Sequence, residues 1–66
     1  MEDEELTPAQ LRLELVLTRR LLHAHEAAMR LYLRRGDGDK AGEEQLEAER
    51  ARDRISEIVS QLRDRP

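Results

Sequence analysis

The residues best suited to chemistry in this chain are two histidines and the acid that follows them. His23 and His25 flank Ala24, and Glu26 comes next. Imidazole and carboxylate groups bind zinc and iron in many proteins, so such a cluster raises the question of a metal site. On a helix, however, residues two apart point about 200° away from each other, so the two imidazoles cannot hold one ion. His23 and Glu26 could share an ion only across a dimer axis, and we expect no cofactor.

Four polar residues, Glu14, Thr18, His25 and Tyr32, fall at helical spacing among leucines. Polar groups within an apolar seam cost stability and often determine register or oligomeric state. One interpretation gives His25 such a register role, and burial would then make assembly depend on pH. The other interpretation places all four side chains at the hydrated margin of the apolar surface.

Arginines follow one face of the same segment, and we call this set the arginine row: Arg12, Arg19, Arg30 and Arg34. Such a row could bind a phosphate backbone or an acidic helix. The formal net charge of −3 and the single aromatic residue, Tyr32, argue against nucleic acid. A solvated face is the simpler interpretation.

No pattern typical of catalysis is present. The run Gly36-Asp37-Gly38-Asp39 resembles a fragment of a calcium loop but lacks its spaced ligands and final glutamate, so it predicts a turn. No nucleophile is paired with a base, and no glycine-rich phosphate loop occurs. We therefore expect a protein that is not an enzyme.

The signals for helix ends are local and agree with one another. Thr7, Pro8 and Gln10 form the pattern of a capping box with proline at the first helical position. Gly36 offers the left-handed residue that commonly ends a helix, and Asp37 or Asp39 can cap a second one. The prediction is an acidic disordered tail over 1–6 and a helical hairpin over 7–66, with helices 8–35 and 40–64 joined by a turn at 36–39.

Composition supports this architecture. The chain has 66 residues, no cysteine, and 41% charged residues of both signs. Mixed charge with periodic leucine and alanine is typical of long helices and coiled coils, and a short link makes the two helices antiparallel. The predicted fold is all-α, an antiparallel, coiled-coil-like two-helix hairpin.

The two predicted helices differ in their apolar faces. The second has one narrow stripe, expected to be the seam within the hairpin: Ala48, Ala51, Ile55, Ile58 and Leu62. The first has two adjacent stripes. One contains Leu11, Leu15, Leu22, Met29 and Leu33. The other, which we call the leucine stripe, contains Leu13, Leu17, Leu21, Ala24, Ala28 and Leu31.

A narrow seam can cover only one of the stripes on the first helix, so we expect the chain to dimerise into a four-helix bundle. The predicted oligomer interface comprises Leu11, Leu13, Leu15, Leu17, Leu21, Leu22, Met29 and Leu31. The expected function is that of a protein–protein interaction module, such as an adaptor, scaffold or accessory subunit, which binds itself and another protein. A small dimeric regulator that binds nucleic acid through the arginine row is the alternative.

The N-terminus is acidic rather than basic as in a signal peptide, and the longest strongly apolar run is Leu15-Val16-Leu17. We expect a cytoplasmic protein with no membrane partner.

Overall fold

A computed structural model describes residues 6–64 as two α-helices packed against each other. Helix α1 spans Pro8–Arg34 and helix α2 spans Gly38–Arg63. Contacts between Glu14 and Arg54, and between His25 and Glu44, show that the helices run antiparallel. The predicted all-α hairpin is confirmed for these residues. Apart from Leu6, the predicted acidic tail lies outside the described residues.

The start of α1 is the predicted capping box. The backbone N–H of Gln10 donates to Oγ1 of Thr7 at 3.1 Å, and the backbone N–H of Thr7 donates to Oε1 of Gln10 at 2.8 Å. Pro8 occupies the first helical turn, where it removes no helical hydrogen bond. Two of the amide groups that a helix start leaves without partners are thereby satisfied.

The turn depends on one left-handed residue. Gly36 has φ 77°, a left-handed conformation that is energetically unfavourable for a residue with a Cβ atom but not for glycine. Asp37 then caps α2, because its carboxylate accepts the backbone N–H of Lys40 at 3.1 Å. With Asp37 as the cap, α2 begins at Gly38 rather than at the predicted residue 40. The Lys40 ammonium lies 5.6 Å from the ring centre of Tyr32, which ties α1 to α2 beside the turn.

The core is a single row of residues between the helices, which we call the hairpin seam. Leu11 of α1 and Ile58 of α2 are fully buried at the end away from the turn. Ala41, Ala48 and Ala51 are the other buried apolar residues of α2, and Thr18 is buried on α1. Alanine adds little bulk, so the seam is narrow and covers only one side of α1.

Within residues 6–64, neither helix combines the length and the apolar character needed to cross a membrane.

Candidate interaction surfaces

The strongest polar contact between the helices joins Glu14 to Arg54. Both carboxylate oxygens of Glu14 are engaged, with Nε of Arg54 at 2.7 Å and a terminal guanidinium nitrogen at 2.8 Å. Each side chain is about one-third exposed, and the other terminal nitrogen of Arg54 contacts Glu57 at 2.9 Å. The bidentate hydrogen bonds from Arg54 lower the pKa of Glu14 below its ordinary value, and those from Glu14 and Glu57 raise the pKa of Arg54. The pair is therefore ionised at neutral pH.

Two more polar contacts link the helices. Nδ1 of His25 lies 2.6 Å from a carboxylate oxygen of Glu44, and both side chains are roughly three-quarters buried. Glu26 accepts a 2.7 Å hydrogen bond from Arg52. Because Glu26 follows His25 directly, these two pairs lie on different edges of the hairpin seam. Sliding one helix by a single turn would break both pairs, so together they define the register of the hairpin.

The four polar residues that the sequence places among leucines therefore belong to the hairpin seam. Thr18 is only 8% exposed, and its hydroxyl donates to the backbone carbonyl of Glu14 at 2.7 Å. Glu14, His25 and Tyr32 are half-buried and contact side chains of α2. Their position supports a register role within one hairpin. The sequence did not reveal their partners Arg54 and Glu44, because these are defined only once the register of the two helices is known.

The leucine stripe lies outside this seam. Leu13 is 60% exposed, Leu21 56%, Leu17 49% and Leu31 39%. Ala24 is exposed as well, and Ala28 is half-buried. At 1.5 Å per residue the stripe runs about 27 Å along α1. Large apolar side chains scattered singly are ordinary on a protein surface, but a contiguous row of them is typical of an interface.

The structure divides the eight residues predicted at an oligomer interface. Leu11 is fully buried inside one hairpin, so it has no accessible surface to offer a second copy. Three others are half-buried along the hairpin seam: Leu15, Leu22 and Met29. The remaining four are the exposed leucines of the leucine stripe. The assignment of those four to an interface stays a prediction.

The α2 residues predicted for the seam within the hairpin are buried or half-buried. Ala48, Ala51 and Ile58 are buried, and Ile55 and Leu62 are half-buried. Ala41, which the sequence prediction did not include, is 3% exposed and continues the same spacing toward the turn. The seven-residue step from Ala48 back to Ala41 is a signal that could have identified it.

On α2, a charged face borders the leucine stripe. Glu47, Arg50 and Arg54 line an open cleft that Thr18, Leu21 and His25 line from α1. Glu47 and Arg50 are paired with each other at 2.9 Å and are largely exposed. One side of the hairpin thus presents an apolar row on α1 beside a row of alternating charge on α2.

The arginine row lies on another side of α1. All four members are exposed, and none takes part in the ion pairs found within residues 6–64. By contrast, Arg50, Arg52 and Arg54 of α2 each contact a carboxylate. Arg30 and Arg34 flank Leu33, which is 58% exposed and lies on this side rather than in the hairpin seam.

Within residues 6–64, no three His, Asp or Glu side chains converge in a way that could hold a metal ion. Glu26, which the sequence suggested as a partner for His23, is instead bonded to Arg52.

Comparison of the chain with protein-family models, with curated proteins and with solved structures finds no match.

Proposed function

We propose that this protein is a small interaction module that pairs with a second copy of itself through the leucine stripe. The observation that carries the proposal is the exposure of four leucines, 39–60% each, along one face of a helix whose other apolar stripe, apart from Leu33, is buried or half-buried against α2. Exposure of such a row to water is unfavourable, because each half-exposed leucine forgoes about 1 kcal/mol of the free energy that its burial would contribute. Burial of this row is the main stabilisation that the folded hairpin can still gain.

A second copy is the simplest occupant. The stripe lies on one unbroken helix and extends from Leu13 to Leu31, so it suits another helix of the same kind. Two hairpins joined in this way form a four-helix bundle with both α1 helices at its centre. The charged outer faces then remain available to another protein, as in an adaptor, a scaffold or an accessory subunit. A chain this small, with no disulfide, also gains stability from such pairing.

Static light scattering of the purified chain, with matched variants, tests this proposal. The wild type should have twice the chain mass of 7.7 kDa at micromolar concentration. Leu17→Glu should give a folded monomer, because two charges would be brought into the apolar contact, whereas Leu33→Glu should remain dimeric. Circular dichroism checks that both variants stay helical. A wild-type monomer, or equal effects of the two substitutions, would contradict the proposal.

One observation favours a second candidate function, a dimeric protein that binds nucleic acid. The arginine row carries four exposed guanidinium groups that are absent from the ion pairs of the described residues. One guanidinium group can bind two phosphate oxygens at once, and a row of such groups along a helix can follow a phosphate backbone. Self-association through the leucine stripe would leave this row free, so the two functions are compatible.

A further inference from the structure

We propose that the two hairpins meet head to tail, with their α1 helices antiparallel about a two-fold axis near the middle of the leucine stripe. This inference rests on the proposed self-association and specifies its geometry. The two turns then lie at opposite ends of the bundle. Two independent features, the sizes of the side chains in the stripe and the charges beside it, favour this arrangement over the parallel one.

The first feature is the uneven distribution of side-chain size. The first half of the leucine stripe carries Leu13, Leu17 and Leu21, whereas the second half carries Ala24 and Ala28 before ending at Leu31. In a parallel pair, leucine would face leucine in one half and alanine would face alanine in the other. The axes would be held apart at one end and a gap would remain at the other, which close packing disfavours.

An antiparallel pair places large residues against small ones. With the axis between Leu21 and Ala24, Leu21 faces the partner's Ala24, and Leu17 faces the partner's Ala28. Leu13 then faces the partner's Leu31 at each end of the contact. Facing positions that alternate large and small side chains interdigitate at an even spacing, so the two helices can stay in contact over the whole stripe.

The second feature is the charged face of α2. Glu47 and Arg50 lie on the same side of the hairpin as Leu21, and Glu43 precedes Glu47 by one helical turn. In a parallel dimer the two-fold axis would run along the α1 pair and place the two α2 helices on opposite sides of it, so this charged face would gain no complementary partner.

In the head-to-tail arrangement, the charges beside the stripe alternate instead. The His25–Glu44 contact sets the height of α2 against α1, and Leu46 then lies close to the level of the axis. Glu43 and Arg50 lie on opposite sides of that level and about equally far from it. The two-fold axis therefore brings Glu43 opposite the partner's Arg50. Arg50 thus lies between its own Glu47 and the partner's Glu43, and only the two Glu47 side chains approach a like charge. Leu46, 49% exposed and on the face of Glu43 and Arg50, would be covered near the axis.

Pulsed dipolar spectroscopy of spin-labelled chains tests the orientation. The wild type has no cysteine, so Ala9→Cys and Arg35→Cys each introduce one labelling site, at opposite ends of α1 and outside the stripe. Antiparallel pairing should give distances of about 40 Å in each homodimer. A mixture of the two labelled variants should add a distance under about 25 Å, from Ala9→Cys in one chain to Arg35→Cys in the other.

Reversed results would overturn the proposal. Short distances in both homodimers, with the long distance only in the mixture, would establish a parallel dimer and leave self-association itself intact. The absence of dipolar coupling, together with a monomer mass by light scattering on the same samples, would contradict self-association as well. The two failures are therefore distinguishable.

Discussion

Leu13→Ala is the substitution that most directly measures how much the leucine stripe contributes to association. Leu13 is 60% exposed in the single hairpin, so about that share of its burial is left to be gained from a partner. The change removes three carbons, worth about 2.4 kcal/mol on full burial at about 0.8 kcal/mol each. Sixty per cent of this is about 1.4 kcal/mol per chain and about 3 kcal/mol per dimer. Dimerisation should therefore weaken by about 100-fold.

The hairpin offers a closely matched control. Leu33 lies on the same helix and is 58% exposed, but it is flanked by Arg30 and Arg34, away from the stripe. Leu33→Ala should therefore leave the dimerisation constant within about twofold of the wild type. Sedimentation equilibrium over a range of concentrations gives both constants. Equal losses at the two positions would show that hydrophobicity alone, and not the stripe, drives association, and no loss at Leu13 would refute the account of the interface.

Two further outcomes follow from the charged groups. If the arginine row binds nucleic acid, affinity for a double-stranded probe should fall steeply with added salt, and Arg12→Glu/Arg19→Glu/Arg30→Glu should abolish it; a shallow salt dependence, or binding by the triple variant, would exclude this role. The pKa of Glu14 is lowered in the fold, so its pair with Arg54 stabilises the hairpin fully above the ordinary value of 4.5 and loses that contribution as pH falls through the folded pKa. Thermal unfolding of Glu14→Gln and wild type should thus differ at neutral pH and converge in acid, and a constant difference would contradict the assignment.

Local signals made the helix ends and the turn predictable from the sequence. The capping box of Thr7 and Gln10 involves residues three apart, and the left-handed Gly36 needs no information from the other helix. Helix α2 begins two residues earlier than predicted, because Asp37 and Asp39 were both plausible caps in the sequence. Only the structure shows that the side chain of Asp37 reaches the N–H of Lys40.

The polar contacts of the seam could not be predicted in the same way. Glu14 and Arg54 are 40 residues apart, and their meeting depends on the relative height of the two helices. Leu33, which the spacing groups with Leu15 and Met29, is 58% exposed, although both of those residues are half-buried. How far α2 covers each residue of that stripe depends on the packing of the two helices, which spacing within α1 does not give.

The exposed stripe was foreseeable because it depends only on counting apolar positions around α1. The count showed more apolar surface than a narrow, alanine-rich helix could cover, and four leucines are indeed left exposed by α2. A surface that covers them would lie outside the hairpin, and the spacing of residues within one chain carries only indirect information about such a surface. The sizes and charges along the stripe are that information.

Sedimentation equilibrium of the wild-type chain from nanomolar to high micromolar concentration tests the central claim most directly. We expect the mass to rise from that of one chain, 7.7 kDa, to twice that value and to level off there, since a two-fold contact closes after two copies. A mass that stays at 7.7 kDa throughout the range would contradict self-association through the leucine stripe.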